Sequence, residues 1–233
     1  MIEKTVSGIE GFDKLIEGGF PKGCNVLLCG TPGTGKTIFA LEFLYHGAVR
    51  FSEKGLYISF EENAQNLRKQ AKQFGWGLEE WEKKGKITLL EIPPKNIVET
   101  TAKEIVDKVR KGKYDRLVID SLSALAINTP NTFGSVTDIT DISIKRFVYH
   151  FINELQGADT TALFVSQTSA GEKLSHDGVS EFICDGIIHL RFETLGGQFS
   201  RSLLVRKMRK TKNDEDIHPV EISDKGMVVH DLR

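Results

Sequence analysis

The segment Gly30-Thr31-Pro32-Gly33-Thr34-Gly35-Lys36-Thr37 holds the residues best suited to chemistry. It fits the spacing GxxxxGK[ST] and lies after an apolar stretch and before a helical one, as that spacing demands. Glycines let successive backbone N–H groups turn inward around phosphate oxygens, and the start of the following helix adds its dipole. Lys36 is expected to reach the outer phosphates, and the Thr37 hydroxyl to ligate Mg²⁺. The ligand these residues imply is a nucleoside triphosphate carried with magnesium, Mg·ATP before any other.

Three further positions could complete such a site. Leu117-Val118-Ile119-Asp120 is an apolar run ending in an acid, and an acid at the end of a buried strand beside the loop can hold Mg²⁺. Glu61 and Glu62 follow another apolar run; a carboxylate there could activate the water that attacks the γ-phosphate, or the pair could simply cap the next helix. Ser166-Gln167-Thr168 ends a third run, where Gln167 could sense the γ-phosphate or be satisfied locally.

The elements that must position these groups read as strands alternating with helices, the pattern of a parallel sheet covered on both faces. Strands are expected at 25–29, 55–60, 86–91, 116–120 and 161–167, with helices over 37–51, 64–74, 97–110 and 142–156. The pattern then changes: strands at 187–192, 201–206, 219–222 and 227–230 are separated by Gly196-Gly197 and Asp224-Lys225-Gly226, which read as hairpin turns. The expected fold class is thus α/β, a mostly parallel central sheet flanked by helices with a C-terminal antiparallel meander. Two long polar loops, 128–141 and 169–181, interrupt it.

Composition excludes several classes. The 233 residues suit one α/β domain, and 39% apolar content with 22 glycines is ordinary for a globular protein. A net charge of −1 gives no overall field for nucleic acid or membrane. No apolar run approaches the roughly 18 residues of a membrane span. The first twenty residues are too charged and glycine-rich for a signal peptide. Cys24, Cys29 and Cys184 form no CxxC pair and are expected to be buried thiols in a reducing, cytoplasmic setting.

Several blocks in order resemble the KaiC-type members of the RecA/RadA superfamily of ATPases, in single-domain form over 1–233. They are Ser7-Gly8-Ile9-Glu10-Gly11-Phe12-Asp13 and Gly18-Gly19-Phe20-Pro21-Lys22-Gly23 ahead of the loop, then Phe60-Glu61-Glu62 and Phe74-Gly75-Trp76. Val179-Ser180-Glu181-Phe182 with Asp185, and Val205-Arg206-Lys207-Met208-Arg209, continue the likeness. The resemblance implies a RecA-type core, Glu61 as catalytic base with Glu62 beside it, and a homo-oligomer, expected to be a hexameric ring. It also implies that Lys207 and Arg209 reach across a subunit interface to the neighbouring ATP, where a cation would stabilise charge developing at the γ-phosphate. Composition alone reads those residues as a solvated basic face answered by Asp214, Glu215 and Asp216.

Departures set limits on what carries over. Lys210-Thr211-Lys212-Asn213 stands where the family has Gly-Thr-Ser-His, so the nucleotide-contacting histidine is missing. One such domain is expected over 1–233 rather than two in tandem, and clock function is not implied. A RadA-type helix-hairpin-helix domain ahead of the core is not expected either. Two other readings remain: a nucleic-acid-associated recombinase accessory contacting single-stranded DNA through the loops 128–141 and 169–181, or an ATP-dependent signalling switch with autokinase activity. Against the first, those loops lack the interleaved aromatic and basic residues of single-strand grooves.

Overall fold

The computed structural model describes residues 2–129, 141–168, 174–175, 177–192 and 200–231. The chain opens with a small antiparallel ladder of β1 (Lys4–Thr5) and β2 (Phe20–Pro21). Next come β3 (Asn25–Gly30), α1 (Lys36–Phe51), β4 (Gly55–Ser59), α2 (Ala64–Gln73), α3 (Leu78–Lys83) and β5 (Ile87–Glu91). Then follow α4 (Thr101–Gly112), β6 (Arg116–Asp120), α5 (Leu122–Asn128), α6 (Asp141–Leu155) and β7 (Thr161–Gln167). The last elements are α7 (Ser180–Ile183), β8 (Gly186–Phe192), β9 (Arg201–Met208), β10 (His218–Ser223) and β11 (Gly226–Val229).

Nine strands form one sheet in the order β11-β10-β9-β8-β3-β7-β6-β4-β5. The six from β8 to β5 are parallel, and β9, β10 and β11 continue antiparallel from β8. The expected mostly parallel sheet with a C-terminal meander is what the chain forms. The central parallel strands are largely apolar because both faces are covered. Alternate residues divide between two cores: Val26, Leu28, Tyr57 and Val118 pack on the side of α1 and α2, while Leu27, Cys29, Leu56, Ile58, Leu117 and Ile119 pack on the side of α4 and α6. Each fully buried side chain of this size contributes about 1.5–3 kcal/mol, so the two layers hold the sheet edge that carries the site.

Element ends differ from expectation for local reasons. The helix expected over 97–110 begins only at Thr101, because Pro93-Pro94 opens a short 3₁₀ turn and the Thr101 hydroxyl accepts from Val98 N–H at 2.9 Å. Strand β9 runs through Lys207 to Met208, two residues beyond the expected stop. Helices α3, α5 and α7 and the β1–β2 ladder were not anticipated. Residues 130–140 of the long loop 128–141, residues 169–173 and 176 of the loop 169–181, and the Gly196-Gly197 turn lie outside the described residues.

Two buried polar anchors fix the layers. Arg116, fully buried at the start of β6, donates to Glu53, Val6 O and Phe43 O at 2.5–2.7 Å, with its guanidinium 4.5 Å from the Phe43 ring centroid. Glu42 of α1, also buried, accepts from Met227 N–H of β11 at 2.8 Å. The helix that follows the glycine-rich loop is thereby tied both to the N-terminal segment and to the last hairpin.

Candidate functional site

The C-terminal edge of the parallel strands gathers the expected residues. Register places Gly30 opposite Gln167, Asp120 opposite Val165, and Ser59 opposite Asp120. Strand β7 therefore lies between the loop strand β3 and the acid-bearing strand β6, and Gln167 is exposed at the junction. A cavity of about 520 Å³ opens there, lined among others by Gly33, Lys36, Thr37, Glu61, Glu62, Asp120 and Gln167.

The loop owes its shape to glycine. A Cβ on Gly30 would stand 2.3 Å from Leu190 O, and Gly35 sits at φ +99°, a conformation side chains disfavour. Thr34, fully buried, closes the loop by donating from Oγ1 to Thr31 O at 2.9 Å. Helix α1 starts at Lys36 with no side chain capping its first turn and no acid in it. Its unpaired N–H groups and dipole form a seat for an anion.

Lys36 donates from Nζ to Gly30 O at 2.8 Å and Thr31 O at 2.9 Å. Burial lowers its pKa, and the charge of Asp120 opposes that shift. Thr37 Oγ1 donates to Asp120 Oδ2 at 3.2 Å. Asp120 is 8% exposed; burial raises its pKa, while hydrogen bonds from Tyr57 and Thr37 hold the carboxylate form. Two hard oxygens beside an anion seat suit Mg²⁺, which takes one or two protein ligands and completes its shell with phosphate and water. Among the described residues no group of three or more His, Cys, Asp or Glu is placed to form an all-protein metal cage.

Glu61 follows directly where β4 stops pairing: Phe60 N–H still reaches Asp120 O, at 2.8 Å. The next turn is closed by Ser59, whose hydroxyl donates to Glu62 O at 2.6 Å and accepts from Glu62 N–H at 3.1 Å. Ser121 then donates from Oγ to Glu61 Oε1 at 2.7 Å while accepting from Ala124 N–H at 3.1 Å as the cap of α5. The Glu61 carboxylate is therefore held on the cavity wall through Oε1.

Lys207 and Arg209 do not line this cavity. Lys207 Nζ donates to Cys184 O at 2.6 Å and Glu181 O at 3.1 Å, and Arg209 donates to Phe182 O at 3.2 Å. Both cap the carbonyl end of α7, and Arg209 lies 3.7 Å from Asp185.

Sequence reading missed three residues. Arg201 of β9 lines the cavity and donates to Gly33 O at 3.2 Å, with its guanidinium 5.1 Å from the Phe192 ring centroid. Nothing in its spacing marks it, since it lies 168 positions from its partner. Ser121 carries a signal in hindsight, as a cap residue before an apolar helix. Tyr57, with its hydroxyl 2.5 Å from Asp120 Oδ2, carries another: a phenol in an otherwise apolar buried strand must find a partner.

A family model described as "ATPase: KaiC" matches residues 5–233. A UPF0273 protein of Thermotoga maritima is 35% identical over 247 aligned positions, covering 99% of this chain and 97% of that one. A UPF0273 protein of Pyrococcus horikoshii is likewise 35% identical, with 99% and 95% covered. Among solved structures, the crystal structure of a KaiC-like protein from Pyrococcus horikoshii superposes with TM-score 0.85 at 35% identity, covering 99% of this chain and all of that one. With the loop, the sheet order and these likenesses together, the chain belongs to the KaiC family of ATPases and carries that family's ATP-binding phosphate loop.

Proposed function

We propose that residues 1–233 act as one ATPase domain that hydrolyses Mg·ATP in the cytoplasm as a homo-oligomer. The observation that carries this reading is the Glu61 carboxylate, fixed by Ser121 on the same cavity wall as Lys36, Thr37 and Asp120. In the proposed reaction the loop N–H groups and Lys36 hold the β- and γ-phosphates. When bound by Thr37 and Asp120, magnesium supplies neutralising charge to those phosphate oxygens. Glu61 takes the proton from the attacking water, Glu62 stands beside it, and Gln167 meets the γ-phosphate end. Ile38, Phe74 and Ile222, with the amides of Gln70 and Gln73, are apolar and polar lining suited to the base.

Lys207 and Arg209 enter through a neighbour in the oligomer, proposed as a hexameric ring. Their position away from their own cavity supports that reading. So does Phe182, which is 71% exposed beside them.

The deciding experiment is Glu61→Gln with nucleotide binding and phosphate release measured on one preparation. Binding should persist while turnover falls by about 10²–10⁴-fold, the range of a lost general base. Unaltered turnover removes Glu61 from the role.

A further inference from the structure

Tyr57 is fully buried, yet its polar atom lies at the site rather than among apolar neighbours alone. Strand β4 pairs with β6 so that Tyr57 faces Val118 and Ser59 faces Asp120. Tyr57, Val118 and Asp120 share the face that meets α1, since side chains alternate along a strand. The two-residue offset, about 6.6 Å at strand rise, matches the reach of a phenol along the sheet. Its hydroxyl ends 2.5 Å from Asp120 Oδ2, the oxygen that also accepts from Thr37 at 3.2 Å.

We infer that Tyr57 is a positioning residue for the divalent cation. Its hydroxyl fixes the Asp120 carboxylate so that Oδ2 serves Thr37 and Oδ1 is presented to the metal or to a water of its shell. The inference rests on the proposed metal role of Asp120 and Thr37. A carboxylate with one donor removed turns more freely about its own bond. An outer partner that orients a metal ligand typically controls 10–100-fold of metal affinity. The phenol donates to Asp120 and is not among the residues that line the cavity, so its loss acts on the cation and not on the nucleotide.

The test uses the full chain with the non-hydrolysable analogue AMP-PNP, and Mn²⁺ as a paramagnetic stand-in for magnesium. Tyr57→Phe, Asp120→Ala and the control Ser123→Ala are compared, each held below its own melting transition. Ser123 shares a buried hydroxyl pair with Ser166 and controls for loss of a buried hydroxyl elsewhere. Tyr57→Phe should bind AMP-PNP without metal as the parent does and bind Mn²⁺ roughly 10-fold more weakly in the complex. Its hydrolysis should need correspondingly more Mg²⁺ for half-maximal rate and recover most of kcat at saturation. Ser123→Ala should shift neither property. Parental Mn²⁺ affinity in Tyr57→Phe, with affinity lost in Asp120→Ala, overturns the role of Tyr57 alone. Parental affinity in both variants overturns the metal role of Asp120 and this inference with it.

Discussion

Burial raises the pKa of Asp120 and of the three thiols alike, with different consequences. Two hydroxyl donors and the nearby Lys36 oppose that shift at the carboxylate, whereas at the thiols burial outweighs every opposing charge and they stay protonated. Burial pushes Cys24 and Cys29 up to about 12, and Cys184 higher still. A raised thiol pKa means that thiolate is scarce throughout the neutral range, and only thiolate reacts. Ellman's reagent at about pH 8 should therefore release almost no chromophore from the native protein. In denaturant it should report all three cysteines; rapid reaction of any thiol in the native protein would contradict the burial. The same contrast explains which site residues were legible. Lys36, Thr37, Asp120 and Glu61 stand at boundaries between apolar runs and polar residues, where spacing exposes them. Tyr57 sits inside such a run, and Arg201 on a hairpin strand among several cations, so their contacts arise only from pairing across the sheet.

At the level of elements, strands were legible because a parallel sheet buried on both faces writes continuous apolar runs. Helix α5 was not, since Leu122–Ala126 is buried on every side and shows no amphipathic period. The β1–β2 ladder, with two residues a strand, is too short to write any period. Arg116 shows how such short pieces are secured: its guanidinium gathers Val6 and Phe43 carbonyls with Glu53 at the root of β6. Replacing it by methionine keeps bulk but strips Glu53 and the Val6, Ser7 and Phe43 carbonyls of this donor. Losing one member of a buried ionic cluster costs about 3–5 kcal/mol, so Arg116→Met should melt markedly lower in calorimetry. A melting temperature equal to the parent's would show that the N-terminal segment holds without it.

For the whole molecule, the position of Lys207 and Arg209 separates two arrangements. Capping α7 in their own chain requires only one copy, and completing a neighbour's cavity requires two. Mixing the Glu61→Gln protein, deficient in base, with Arg209→Ala protein, deficient in the cation, distinguishes them. If the cation acts across an interface, mixed oligomers contain some sites with both an intact Glu61 and an intact Arg209. Such mixtures should regain a measurable fraction of the parent's turnover. Verified mixed oligomers with no regained activity would confine Arg209 to its capping contacts. The layers and the antiparallel meander were readable from alternating runs, whereas the order of strands across the sheet was not. The proposed contribution of a neighbour was readable only by family likeness, because composition alone reads Lys207 and Arg209 as part of a solvated basic face.

The close approach of Gly30 to Leu190 O bears on how this loop drifts over evolutionary time. Glycine at that position is demanded by the packing of two adjacent strands, whatever the loop binds. A lineage that abandoned nucleotide would keep Gly30 for the sake of its sheet, while Thr37, whose contacts serve the site, would be free to vary. Persistence of that glycine in a divergent descendant is therefore a record of shared architecture, and persistence of the threonine beside it is a record of shared use.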